Sequence, residues 1–295
     1  MTFGDTIPFQ SCNNKVFHTL FSDSVLPTTD NGDNSQKLPL THDVDYEEIS
    51  APPDCKYYST IDYHKLQRKK TFDIFHNNIN GLENKFDNIY EFLMKNNSSC
   101  DVIAISETSE KIDNKFLNNV DISGYEMFSN PSHTSRGGVA LYINSTLKFA
   151  ERVDLKSSSR HFESVWTEIK NCNSKNILCA SIYRHPHNDA ISLSSFFEYF
   201  EQTLLRIIPE NKDLYICGDF NFDLLKIHNC DKSKKFYELL HSFGLLPQIT
   251  IPTRTTDNSA TVIDNIFTNN FSHSKISGNI LTDFSDHYSQ FLSIK

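Results

Sequence analysis

The chain has no CxxC pair and no CxxC…HxxxH array, and its seven cysteines are widely scattered. An odd set without tight spacing builds neither a disulfide framework nor a structural zinc site. Cys100, Cys179 and Cys217 lie beside or within apolar runs and read as buried small hydrophobes in a reduced setting. No apolar stretch reaches the roughly 20 residues that cross a bilayer. No basic leader followed by an apolar core opens the sequence. The chain is therefore expected to be soluble and intracellular, nuclear or cytoplasmic, without a membrane partner and not secreted. The sequon Asn144-Ser145-Thr146 then reads as incidental. No internal repeat is present, and Arg136-Gly137-Gly138 lacks the Lys-Ser/Thr of a phosphate loop, so it reads as a turn into a strand.

An excess of positive charge is also missing. Lys and Arg total 28 against 37 Asp and Glu, a net charge of −9 that argues against non-specific coating of DNA by counterion release. An enzyme whose carboxylates hold a cation is not excluded, because the ion supplies local positive charge.

What is present is a globular composition, with 38% hydrophobic and 12% aromatic residues, enough for a sizeable core. The chain changes character near residue 70. Upstream, turn-forming stretches such as Pro27-Thr28-Thr29-Asp30-Asn31-Gly32-Asp33, the acidic cluster from Asp43 to Glu48 and the basic run Leu66-Gln67-Arg68-Lys69-Lys70 offer little to bury. Residues 1–70 read as largely disordered, with local order around Cys55-Lys56-Tyr57-Tyr58, and residues 71–295 as the folded domain.

From Thr71 strands and helices alternate. Strands are expected over Phe72 to Ile79, Asp101 to Ile105, Gly137 to Ile143, Ser164 to Ile169, Ile177 to Tyr183 and Asp213 to Cys217. Three more are expected over Thr261 to Phe267, Lys275 to Leu281 and Tyr288 to Ile294. Amphipathic periodicity predicts a helix over Glu83 to Asn96 with Phe86, Ile89, Tyr90, Leu93 and Met94 inward. It predicts another over Ser192 to Ile208 with Phe196, Phe197, Phe200, Leu204 and Ile207 inward, and a third over Ser233 to Phe243 capped by Gly244. Without a strict βαβ rhythm, mixed sheets with helices outside are expected.

Polar motifs fall where strands end and loops begin, the place where sheet proteins assemble sites. They are Asn78-Ile79-Asn80-Gly81-Leu82, Ser106-Glu107-Thr108, Ser181-Ile182-Tyr183-Arg184, Gly218-Asp219-Phe220-Asn221 and Ser285-Asp286-His287. Singly each has a bland reading. Asn80-Gly81 and Gly218-Asp219 are turn signals, Glu107 a solvated strand end, and Asp286-His287 an incidental pair. His185-Pro186-His187 reads as an exposed loop. Arg254 suits either a DNA-backbone contact or an ion pair.

In this order on this alternation, the motifs resemble the endonuclease/exonuclease/phosphatase superfamily across roughly Phe72 to Ile294. Within it the chain is most similar to the endonuclease domains of jockey-like and related LINE-type (non-LTR) retrotransposons. Ile105-Ser106-Glu107-Thr108, Gly137 to Ile143, Tyr183-Arg184-His185-Pro186, Ile251-Pro252-Thr253-Arg254 and Ile263 to Asn269 carry that similarity, together with Ser285-Asp286-His287. Cys55-Lys56-Tyr57-Tyr58 looks like the segment that precedes such domains.

The resemblance implies a four-layer α/β sandwich, two mixed β-sheets face to face with helices on both outer surfaces. It implies a Mg²⁺-dependent hydrolase, with Mn²⁺ as a substitute, that nicks double-stranded DNA and leaves a 3′ hydroxyl for reverse transcription. Glu107 would hold the metal, with Asn80 and Asp286 completing the site directly or through water. Asp219 would orient or deprotonate the attacking water, and Asn221 would fix that geometry or touch a phosphate oxygen. His287 would contact the scissile phosphate in a tautomer set by Asp264. Tyr183 would donate to the phosphate and Asn78 would support the metal side. In apurinic/apyrimidinic repair enzymes the position matching Asn80 is typically Asp; the amide here favours the LINE-type branch and a modest metal affinity. The sequence contains no Tyr-X-Asp-Asp motif, so a reverse transcriptase partner would be encoded downstream or in trans. Two other readings stay open: a repair endonuclease or phosphatase on the same fold, and a catalytically silent, domesticated nucleic-acid- or protein-binding relic.

Overall fold

Alternation in β2 (Phe72–Asn78) sends Ile74 to one side and Phe75 to the other, and both are buried. A strand with two buried faces must lie between two layers. The same holds for β3 (Val102–Ser106), where Val102 and Ala104 face one core while Ile103 and Ile105 face another. The computed structural model describes residues 55–66, 71–94, 100–108, 119–132, 134, 136–171, 174–271 and 275–295. The expected disorder of residues 1–54 and the basic run 67–70 lie outside the described residues.

The remaining strands are β1 (Lys56–Tyr58), β4 (Tyr125–Asn130), β5 (Val139–Asn144), β6 (Phe149–Glu151), β7 (Ser157–Ser158), β8 (Phe162–Ile169), β9 (Ile177–Arg184) and β10 (Asp213–Asp219). They continue with β11 (Leu246–Pro247), β12 (Arg254–Thr256), β13 (Ser259–Thr261), β14 (Asp264–Thr268), β15 (Lys275–Ile280) and β16 (Ser289–Ile294). Among the described residues the α-helices are α1 (Thr60–Lys65), α2 (Leu82–Met94), α3 (Ala190–Ile207) and α4 (Asp231–Ser242).

One sheet runs β1-β15-β16-β2-β3-β5-β4, and a second runs β11-β14-β10-β9-β8-β6 with β7 paired to β8. Both are mixed: β2 with β3 and β10 with β9 are parallel, and their flanking neighbours antiparallel. Each of these two parallel pairs is joined by a crossover carrying a helix, α2 or α3. The sheets meet face to face over Ile74, Val102, Ala104, Leu141, Val165, Cys179, Tyr215, Cys217 and Ile266. The first sheet's outer face packs Phe75, Ile103 and Ile105 under Leu82, Phe86, Ile89 and Leu93 of α2. The second sheet's outer face packs Leu178, Ala180 and Ile216 under α3 and α4. This is the expected four-layer sandwich.

Helix α3 buries Phe196, Phe197, Phe200, Leu204 and Ile207, the face its periodicity predicts. It starts at Ala190 rather than Ser192, because the Asp189 carboxylate caps it by accepting from Ile191 N and Ser192 N. After α4, Gly244 at φ +70° donates to His241 O while Leu245 donates to Leu240 O, a Schellman ending.

Four expectations need correction. In α2, Tyr90 is exposed and Phe92 is buried instead, since Phe92 follows Ile89 by three residues and Tyr90 turns about 100° away from it. The strand expected over Thr261 to Phe267 is broken into β13 and β14. Val262 N bonds the Asp223 carboxylate, and Ile263 N and Asp264 N bond Thr253 Oγ1. The strand expected from Gly137 starts at Val139, because Gly137 (φ +110°) and Gly138 (φ +81°) are left-handed. Packed structure also begins upstream of residue 71, since β1 pairs in parallel with β15 and Tyr63 of α1 is buried.

Candidate active site

The parallel pairs β2–β3 and β9–β10 deliver polar side chains to the same end of the sandwich. β2 ends at Asn78, β3 leads into Glu107, β9 ends at Tyr183-Arg184, and β10 ends at Asp219. Carboxyl ends of parallel strands are where α/β proteins place ligands, because chain direction aligns there and loops can diverge.

The turns after β2 and β3 interlock. Ile79 N donates to Ser106 O, Gly81 N to Glu107 O at 2.8 Å, and Leu82 N to Thr108 O. Glu107 sits at φ +54°, a left-handed conformation that costs a non-glycine residue roughly 1–3 kcal/mol. Asn80 (φ +48°) and Asn221 (φ +52°) share it, so three of the four non-glycine left-handed residues described belong to the predicted site.

Asn78 joins the two sheets at this end. Its Nδ2 donates to Glu107 Oε1 and to Asp219 Oδ2, each at 2.8 Å, from a fully buried position. Asp219 is 1% exposed, and burial together with the charges of Asp264 and Glu107 pushes its pKa up to about 8. Tyr183 hydrogen-bonds Glu107, and burial beside Glu107 and Asp219 raises its hydroxyl pKa, keeping the O–H protonated.

On the far side, His287 Nδ1 lies 2.8 Å from Asp264 Oδ2, which also accepts from Thr253 Oγ1 at 2.7 Å. Burial alone would lower the His287 pKa, but Asp264, Asp219 and Asp286 raise it to about 9. Asp264 is held below the ordinary carboxylate range: its burial works the other way and is outweighed by His287, His76 and Thr253. Donor atoms of Asp219, Asp264 and His287 all lie within 4.8 Å of one another, a buried acid–imidazole cluster.

The structure thus brings together Asn78, Glu107, Tyr183, Asp219, Asn221, Asp264 and His287. Asn80 and Asp286 lie exposed at the rim, and Asp286 is ion-paired with Arg254 at 2.5 Å. Ser285 ties that segment to β2 by donating to Asn78 O at 2.5 Å. For Arg254 the ion pair, one of its two open readings, is realised.

Gly218-Asp219 is not a turn. Gly218 lies within β10 against Ile182, where a Cβ would stand 2.1 Å from Ile182 O. His185 is not an exposed loop residue either: it is 4% exposed with Nε2 3.0 Å from buried Glu163. Sequence reasoning missed Lys85, which donates to Ile79 O at 2.7 Å and feels the charges of Asp286 and Glu107. His76, between Gln290 and Ser106, was also missed. Lys85 lies next to the buried Phe86 in α2 and belongs to no motif, and a histidine inside a strand carries none of its own.

A hard divalent cation such as Mg²⁺ fits this donor set. Glu107, Asn80 and Asp286 offer only oxygen or amide groups, and no cysteine is among them.

Fold and side-chain cluster define a two-sheet α/β sandwich with a carboxylate–amide–imidazole site at the strand ends. The endonuclease/exonuclease/phosphatase family model matches residues 75–287, and the chain belongs to that family. Its fold is similar to the endonuclease domain of TRAS1, a telomere-specific non-LTR retrotransposon, at 15% identity and TM-score 0.56, covering 76% of this chain and 98% of that one. It is similar to the AP endonuclease LMAP from Leishmania major at 13% identity and TM-score 0.62, covering 78% and 90%. The Xenopus laevis APE2 catalytic domain gives 18% identity and TM-score 0.59, covering 76% and 91%. No curated protein matches the chain. Among the described residues, no helix is long and apolar enough to cross a membrane.

Proposed function

We propose that the protein is a Mg²⁺-dependent DNA endonuclease that nicks target DNA for retrotransposon integration. One observation carries the reading: the Asn78 amide bridges Glu107 and Asp219 at 2.8 Å each, while the Asp264–His287 pair approaches the same Asp219 to within 4.8 Å. Ion-holding, water-activating and phosphate-binding groups then surround one reacting centre.

Glu107 would hold the ion, with Asn80 and Asp286 at the rim. When bound, the ion would neutralise phosphate charge and stabilise the leaving oxygen. Asp219 would take the proton of the attacking water as a carboxylate; burial and the charges of Asp264 and Glu107 favour its neutral form in the ion-free protein, and the charge of a bound cation would restore the carboxylate. Asn221 N donates to Asp219 Oδ1 at 3.0 Å, which holds the acceptor still. His287, protonated and gripped through Nδ1, has Nε2–H to donate to a phosphate oxygen. The Tyr183 hydroxyl stays protonated and donates beside it. Lys85 places positive charge beside the site in a chain whose net charge is −9, and Arg254, paired with Asp286, lies at its rim. The nick would leave a 3′ hydroxyl for a reverse transcriptase encoded downstream or in trans.

The test is conversion of supercoiled to open-circular plasmid with Mg²⁺, an EDTA control and a His287→Ala variant. Wild-type nicking that EDTA and His287→Ala both abolish is expected. Nicking that persists in His287→Ala at the wild-type rate would defeat the reading. Hydrolysis confined to abasic DNA or to phosphomonoesters would move the protein to another branch of the family.

A further inference from the structure

Arg184 closes a clasp with the loop that follows β10. Its Nη2 donates to Asn221 O at 2.8 Å, its Nε to Phe220 O at 2.6 Å and its Nη1 to His187 O at 2.9 Å. In return, Asn221 Nδ2 donates to Arg184 O at 2.7 Å. The guanidinium lies 4.0 Å from the centre of the Phe222 ring, and the residue is 1% exposed. Three successive residues of one loop are therefore gripped by one side chain. Its donors go to three backbone carbonyls and, at 3.4 Å, to Asn188 Oδ1, none of them a carboxylate, and burial lowers its pKa to about 10.

Burying a guanidinium without a paired carboxylate is costly, and an apolar side chain would fill the space more cheaply. What the guanidinium adds is a rigid fork with fixed donor directions, which an ammonium lacks. Asn221 stands at φ +52°, outside the conformation most residues prefer, so something must hold it there. Two reciprocal bonds with Arg184, one accepted by each residue's backbone carbonyl, fix both the main chain and the amide of Asn221.

We infer that Arg184 is a positioning residue: it sets the side-chain amide of Asn221 at the reacting face, and its effect on chemistry runs through Asn221. This rests on the role given to Asn221 above. Lysine at this position keeps the charge and loses the fork.

The experiment is a double-mutant cycle on the full chain, read by plasmid-nicking kinetics and by ¹⁵N spectra. Arg184→Lys is expected to lower kcat by about 10- to 100-fold with little change in KM, as displacement of a catalytic group by about an ångström does. In an Asn221→Ala background the same substitution should change kcat by less than about twofold, since its target is gone. Equal losses in both backgrounds, or a loss confined to KM, would overturn the inference. The Asn221 side-chain NH₂ signals, identified by their absence in Asn221→Ala, should shift and exchange faster in Arg184→Lys. Signals left unmoved also overturn it, whether or not the protein nicks DNA. Shifted signals in a protein that does not nick would retain the clasp and reject the nuclease reading. Should Arg184→Lys not fold, Phe222→Leu removes the ring under the guanidinium while keeping every donor, and a smaller shift of the same signals is expected.

Discussion

Asp264 Oδ2 stands 2.8 Å from His287 Nδ1, and both side chains are withdrawn from water. The carboxylate fixes which way the ring points and supplies the charge that holds the imidazolium against burial. Asp264→Asn keeps the shape and removes the charge. The His287 pKa should fall from about 9 into or below the ordinary histidine range, leaving the ring neutral at slightly alkaline pH. Nicking should drop on the order of 10²- to 10⁴-fold, the usual worth of a positioned acid. A proton NMR titration of the ring that still turns near pH 9 in the variant would show that Asp264 is not its support.

Metal-free stability should decline as pH rises. His287 has a folded pKa of about 9 against an ordinary 6.5, so its stabilisation is complete below about pH 6.5 and lost as pH climbs through 9. Asp219, raised from 3.8 to about 8, has the same sign: the folded state prefers the neutral acid, and that preference is lost as pH climbs through 8. Asp264, lowered, acts oppositely, and its contribution disappears on acidification through its folded pKa. Urea midpoints in EDTA should therefore fall between about pH 5 and 9, with Asp219→Asn flattening the lower part of the slope. A midpoint that rises over this window would contradict the buried-cluster electrostatics.

The layers and most strands were legible because the signal is local. Alternation in Phe72–Asn78 and the aromatic stripe of Ala190–Ile207 fix which face is buried before any tertiary contact forms. Site residues were legible only as strand-end motifs, since nothing local says that Asn78 reaches Asp219, 141 residues away. The misreadings share one cause. Gly218 looked like a turn and His185 like a loop because neighbouring strands, remote in sequence, decide their surroundings. Nothing local to Ile251-Pro252-Thr253-Arg254 shows that the Thr253 hydroxyl organises both Asp264 and the break between β13 and β14.

Asn80 offers a direct test of the ion's place. It lies at φ +48°, exposed at the rim, with its backbone N–H donating to Asn78 Oδ1 at 3.2 Å. Replacing it by Asp adds a negative charge on the Glu107 side without changing size. If both residues face the cation, the Mg²⁺ concentration for half-maximal nicking should fall by about tenfold, the equivalent of about 1.4 kcal/mol. An unchanged Mg²⁺ midpoint would place the ion elsewhere, with the Asp219–Asp264–His287 cluster next to be probed by Asp219→Asn.

Gly218 explains a motif residue by strand packing instead of by turn geometry. It pairs with Ile182 across the parallel β9–β10 ladder, and a methyl group there would lie 2.1 Å from Ile182 O and 2.9 Å from Ile182 C. Both are backbone atoms and cannot rotate away, so the strands carrying Tyr183 and Asp219 would have to part. Gly218→Ala should destabilise the protein by about 1–3 kcal/mol or more, as overpacking does, and should reduce nicking by displacing Asp219. Gly244 provides the control: it is left-handed at φ +70°, but a methyl there meets nothing within 4 Å. Its replacement by Ala should cost only about 1 kcal/mol of backbone strain. The sole tryptophan, Trp166, is fully buried on β8 beside β9, so urea unfolding followed by its fluorescence reads both variants. Equal losses, or a larger loss at Gly244, would remove close strand approach as the reason for glycine at 218.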